Sequence, residues 1–246
     1  MNNQMFADRV ILLTACINPA GMSKTVLQDK DVRLAQYKRA LDYYLKTAEN
    51  KIVFVENTGY DISDEYQEYI RKGRLEVLAF NGNSYDTRLG KGYGEALIIA
   101  YGLRNSKLLS SASDVVKITG RLIIRNINQL LDKSRTGHLY CNLVKASSRK
   151  QTSYSIFFCA PKRFFTEYFL VDIALINDEK LYYFEHYLND CCKKWKKDGN
   201  IWKEYWLPIL IYGQSGTSGT EYKTSYLMYA KQYARYIMHK CGIYKF

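Results

Sequence analysis

What most constrains this chain is an alternation of short aliphatic runs with longer stretches of helical periodicity. Residues 10–15, 52–55, 75–80 and 115–118 are runs rich in Val, Ile, Leu and Phe, and they read as buried strands. Between the first two, Val32, Leu34, Ala35, Tyr37, Ala40, Leu41, Tyr44 and Leu45 recur at helical spacing. Ser63-Asp64-Glu65 opens a second helix that ends near Gly73, and a third covers about 92–105. Strand and helix alternating over short connections predict an α/β fold with a mostly parallel sheet flanked by helices. In such sheets ligands bind at the carboxyl ends of the strands. The loops that matter are therefore 14–25, 56–63, 81–94 and 119–126.

The second half is less regular. Residues 139–145 and 154–160 read as strands around a polar segment, 147–153. A helix starts at Pro161, and another spans 179–197 with Tyr182, Tyr183, His186, Tyr187 and Leu188 in its pattern. A strand over 206–212, a Gly/Ser/Thr loop at 213–222 and a basic aromatic helix over 225–240 complete the chain. This is one compact domain in two halves, 1–135 for the ligand and 136–246 for a second substrate.

Charge narrows the partners. Thirty-six basic residues against 24 acidic ones give a net charge of +12, which favours anionic ligands. The 23 tyrosines bring single-stranded nucleic acid into view, since aromatic faces stack on bases. No nucleic-acid recognition motif is visible, however, and nucleic acid is not the expected partner. The six cysteines form no CxxC, the three histidines are far apart, and no metal site or cofactor is expected. No apolar run approaches the roughly 20 residues needed to span a bilayer. The N-terminus lacks a signal-peptide layout. The expected location is cytoplasmic, with the inner membrane face as a possible surface of attachment.

The segment "KIVFVENTGYD", 51–61, resembles the second strand and following turn of GT-A-type glycosyltransferases. The segment "GKGYGEALIIAYGLRNSKLLSSASDVVKITGRLIIRN", 90–126, resembles a pattern in bacterial enzymes that build lipopolysaccharide and capsule. The likeness covers roughly residues 9–130. It implies a GT-A-like, Rossmann-like sheet, a nucleotide-sugar donor, and a hydroxyl acceptor on a glycan or lipid-linked glycan. By position it implies nucleoside contacts at Thr14, Ala15 and Asn18, and base or ribose contacts at Glu56 and Asn57. An ordinary Asx-type turn is the plainer reading of the last two.

The chain departs from that family where an Asp-x-Asp usually ends the fourth strand and holds a divalent metal. Here the slot reads Thr119-Gly120-Arg121, and Asp114 sits at the wrong end of the strand. Guanidinium and ammonium groups can neutralise a departing phosphate instead, and Gly120 lets the backbone come close. Arg121 and Lys117 are the candidates, each with a structural ion pair as its alternative, and Arg125 follows. Lys91 and Gly92, with Arg88, Gly90 and Gly94, precede a helix whose N-terminus can attract phosphate. Glu95 is either a donor-sugar contact or a carboxylate favoured by the helix dipole. A general base would come from Asp172, Glu185 or Glu221. Glu185 stands out for its aromatic neighbours, although these also fit a helix with a solvated face.

The loop at 213–222 has the composition of a lid, or of a plain surface loop. The tail 223–246, with Lys223, Lys231, Arg235, Lys240 and Lys245, can dock on an anionic membrane or simply pack its tyrosines inward. The expectation is a metal-independent glycosyltransferase. Its rivals are a basic, Tyr-rich binder of single-stranded nucleic acid and an inactive scaffold of the same fold.

Overall fold

Side chains alternate across each strand, and here both faces are apolar. In β1 (Arg9–Ala15), Ile11 and Leu13 enter one buried cluster while Val10 and Leu12 enter a second on the opposite face. A strand buried on both sides belongs at the centre of a sheet covered by helices. The computed structural model describes residues 9–19, 22, 25–145, 151–205, 207–216, 218–223 and 226–241.

The chain runs from β1 through α1 (Lys30–Thr47), β2 (Lys51–Glu56), α2 (Gln67–Arg71) and β3 (Leu75–Ala79). It continues through α3 (Gly90–Asn105), α4 (Lys107–Ser110), β4 (Asp114–Thr119), β5 (Ile123–Ile124) and α5 (Ile127–Asp132). The second half holds β6 (Leu139–Tyr140), β7 (Leu143–Lys145), β8 (Gln151–Ser153), β9 (Phe157–Pro161) and α6 (Lys162–Phe164). It ends with α7 (Phe184–Lys197), β10 (Trp202–Lys203), β11 (Ile211–Gln214), β12 (Glu221–Lys223) and α8 (Tyr226–Lys240).

Seven strands form the main sheet in the order β10-β6-β9-β4-β1-β2-β3. β1 pairs in parallel with β2 and β4, β2 with β3, and β6 with β10; β9 alone runs against its neighbours. The α/β class with a mostly parallel, helix-flanked sheet is thus what the chain adopts. α1 and α5 cover one face through residues such as Tyr37, Leu41, Tyr44 and Leu130. α3 and α7 cover the other through Ile98, Ile99, Leu188 and Trp195. At the amino end of β1 the buried pair Arg9–Asp114, 3.5 Å apart, ties β1 to β4.

Several second-half elements differ from expectation for local reasons. The helix expected over 179–197 starts only at Phe184, because Asn177 and Tyr182 pair across a tight turn that holds Leu181 at φ 56°. Residues 139–145 split into β6 and β7 where the Asn142 side chain accepts from the Tyr205 amide. The strand expected over 206–212 begins only at Ile211; Pro208 lacks an N–H, and Trp206 lies outside the described residues. Residues 147–150 of the polar segment also lie outside them.

The loop at 213–222 is largely a hairpin, β11 to β12, that joins β5 in a three-stranded sheet. Arg121 donates to its Gln214 carbonyl, Gln36 bonds the Gln214 side chain, and the Val26 amide donates to the Gly216 carbonyl. The segment expected to be a lid or a plain surface loop is thus anchored at three points. In the tail, residues 224, 225 and 242–246 and the side chains of Lys223, Arg235 and Lys240 lie outside the described residues, while Lys231 is exposed. No helix among the described residues is long and apolar enough to cross a membrane.

Candidate functional site

A cleft of about 610 Å³ opens over the carboxyl ends of β1, β2 and β4, roofed by the β7–β8 and β11–β12 hairpins. β1 and β4 pair Thr14 with Thr119, and β1 and β2 pair Ala15 with Glu56, so three strands end at one level. Of the residues expected there, Thr14, Ala15, Asn57, Lys91, Gly92 and Glu95 line the cleft, as do Thr119, Arg121 and Glu185. Asn18, Glu56, Lys117 and Gly120 do not.

The four outliers have structural work. Lys117 points from β4 toward α3, is fully buried, and sits 2.6 Å from the Glu95 carboxylate and 2.6 Å from the Ser155 carbonyl. It is therefore an ion-pair partner beneath the cleft and does not face its space. Glu56 accepts from the amides of Ile17, Thr58 and Tyr60, which binds the loops after β1 and β2 together. Gly120 donates to the Thr14 carbonyl, and a Cβ there would stand 2.8 Å from that oxygen. Asn18 is exposed, with its amide donating to Thr58 Oγ1.

Glu95 forms the floor. Burial would raise its carboxyl, but the Lys117 ammonium and the hydroxyls of Thr14 and Thr119 outweigh it and hold the group below the ordinary carboxylate range. It is an anion at neutral pH, with part of its surface open to the cleft.

Arg121 is the counterpart. Only 7% exposed, it donates from Nη1 to the Gln214 carbonyl at 2.8 Å and to Gln36 Oε1 at 3.4 Å. Its buried Nε has no hydrogen-bond partner among the described residues, and none of their carboxylates forms an ion pair with it. Arg33, on the buried face of α1, joins it in lining the cleft. It donates to the carbonyls of Cys16 and Leu27, again with neutral partners only. A cation in the apolar stripe that runs through Tyr37, Ala40, Leu41 and Tyr44 was the signal for Arg33, and hydrophobic periodicity passes over it. Asn57 Oδ1 is also buried without a partner among the described residues.

Three glycines shape the rim. Added Cβ atoms would meet Asp178 at 2.1 Å from Gly90, Phe184 at 3.0 Å from Gly92, and the Tyr85 hydroxyl at 2.3 Å from Gly94. The glycine pattern thus serves close packing, and the Asp178 carboxylate lies against the start of α3 where phosphate was expected. Lys91 remains in the cleft; burial shifts its ammonium downward against the pull of Glu185, Asp178 and Glu95. Glu185, in the first turn of α7, accepts from Ser155 Oγ at 2.7 Å. Asp172 and Glu221 lie outside the cleft. The Cys16 thiol is raised by burial and is a poor nucleophile.

No family model matches the chain, and no curated protein does. Among solved structures it is similar to a Desulfovibrio desulfuricans G20 protein described as a nucleotide-diphospho-sugar transferase. That match has 11% identity, a TM-score of 0.45, and covers 80% of this chain and 79% of the other. A cytidylyltransferase from Leptospira borgpetersenii matches at 10% identity and a TM-score of 0.42, over 81% and 76%. A 4-diphosphocytidyl-2C-methyl-D-erythritol synthase matches at 10% and 0.43, over 95% and 98%.

The end of β4 offers a hydroxyl, a glycine and a guanidinium. Glu95 is engaged by Lys117, and no three His, Cys, Asp or Glu among the described residues group to hold an ion.

Proposed function

We propose that the cleft binds a nucleotide-sugar and that the protein transfers its sugar to a hydroxyl of a cell-surface glycan. The observation that carries this reading is Arg121: a buried guanidinium lining the cleft with no carboxylate partner among the described residues. An unpaired buried charge is costly unless an anion completes it, and bidentate phosphate contact suits guanidinium. Asn57, whose side-chain oxygen is buried without a partner among the described residues, suits the base or ribose.

In the reaction the acceptor oxygen bonds to the anomeric carbon as the bond from that carbon to phosphate oxygen breaks. Charge grows on the leaving nucleoside phosphate, where Arg121, with Lys91 close by, stabilises it without a metal. Glu185 is the side chain placed to take the acceptor's proton if configuration inverts. Glu95 faces the sugar from the floor, held ionised by Lys117. The excess of basic residues suits an acceptor carried on an anionic membrane face, with the protein attached peripherally.

The test is a thermal-shift screen against UDP-, GDP-, CMP- and dTDP-sugars. A ligand that binds only the folded state stabilises it by mass action. At least one donor should raise Tm by several degrees, as a hundredfold excess over Kd contributes about 2.7 kcal/mol. No shift with any nucleotide-sugar or free nucleotide would refute the reading.

A further inference from the structure

A second pocket, about 630 Å³, lies at the β6–β10 edge of the main sheet and shares no lining residue with the cleft. β7 separates the two: Leu143 faces the second pocket, and its neighbour Val144 faces the cleft. Lys133, Arg135, Lys196 and Lys203 surround the pocket, all exposed and none in an ion pair among the described residues. Its one acid, Glu204, accepts from the Leu143 amide. The positive field is felt nearby, where burial, Lys203 and Arg135 push the His138 imidazole down.

The floor is aromatic. Trp202 is half-buried and fixed by its indole N–H to the Cys141 carbonyl, while Tyr140 and Tyr205 pack on each other at 5.4 Å and 36°. Both tyrosines are buried, so among the described residues Trp202 alone offers a partly open ring, too little for a run of stacked bases. A concave site with one aromatic plate and several unpaired cations suits a sugar ring that carries acid groups.

We infer that this pocket binds anionic sugar residues of a glycan, through Lys133, Arg135, Lys196 and Lys203 around Trp202. As a distal acceptor site it rests on the glycosyl-transfer reading; as a binding site it does not.

Titration calorimetry of the full chain with tetragalacturonate, maltotetraose and oligothymidylate decides it. Tetragalacturonate should bind, and Lys133→Glu/Lys203→Glu should weaken it at least tenfold. The control Arg71→Glu/Lys107→Glu, beside β3 at the opposite edge of the main sheet, should leave affinity within twofold, and maltotetraose should bind at least tenfold more weakly. Equal loss in both variants would mean diffuse charge attraction and overturn the inference. So would pocket-dependent binding of oligothymidylate as tight as that of the uronate, or no uronate binding at all. The pocket variant should keep its thermal shift with nucleotide-sugar. A wild type that binds uronate through this pocket but shifts with no nucleotide-sugar would uphold the pocket and sink the transferase reading alone.

Discussion

Two charged residues near the carboxyl end of β4 meet opposite fates, and the difference is the partner each finds. Lys117 is satisfied by Glu95, whereas Arg121 finds only neutral oxygens among the described residues. Removing one member of a buried pair strands the other, at a cost of about 3–5 kcal/mol. Lys117→Met should therefore lower stability by about that amount in denaturant titration, and Lys117→Met/Glu95→Gln should recover much of it. The pair also sets a pH dependence. Glu95 titrates lower in the folded state than in the unfolded chain, so its stabilisation is full above the unfolded carboxyl pKa of about 4.3. It is lost as pH falls through the lower folded value. Tm measured against pH should fall less steeply over this acid range in Glu95→Gln than in the wild type; parallel curves would show that Glu95 carries none of it.

At the scale of elements, the glycine-rich start of α3 makes the firmest case. Gly94→Ala places a methyl group 2.3 Å from the Tyr85 hydroxyl, and overpacking of this kind costs about 1–3 kcal/mol. Adding Tyr85→Phe removes the obstructing oxygen and should restore part of the loss, which differential scanning calorimetry would read. If Gly94→Ala alone were neutral, these glycines would have another purpose. The Asp29 side chain caps α1 by accepting from the amides of Asp31 and Val32, so Asp29→Ala should cost about 1 kcal/mol in denaturant titration.

These elements also show what could be read in advance. Val10 to Leu13, Ile52 to Val55 and Val115 to Ile118 announce central strands because burial on both faces demands unbroken aliphatic runs. The periodicity of α1 survives its single buried cation. The reversed strand β9, inserted between β4 and β6, could not be read, since strand order is fixed by packing between distant segments. For the same reason Arg33 and Asp178 reach the cleft unannounced, and Gln36 and Gln214 reach Arg121. The roles of Lys117 and Glu56 depended on which way a side chain points at a strand end, which only the partner across the layer decides. The left-handed Leu181 truncates α7 where periodicity ran on.

For the whole molecule, a net charge of +12 and two cation-lined pockets at separate places are what the proposed anionic ligands would meet. We propose that a guanidinium at the sheet's carboxyl edge does the neutralising for which Asp-x-Asp and a metal serve in GT-A enzymes. The direct measurement is calorimetric titration of the best nucleoside diphosphate into wild type and Arg121→Ala, each with EDTA. The account predicts wild-type affinity unchanged by chelation, and at least a tenfold loss in Arg121→Ala. The variant should stay folded with only a modest loss of Tm, since it gives up the hydrogen bonds to Gln214 and Gln36 but breaks no ion pair among the described residues. Affinity that disappears with EDTA, or an Arg121→Ala variant that binds as well as the wild type, would contradict it.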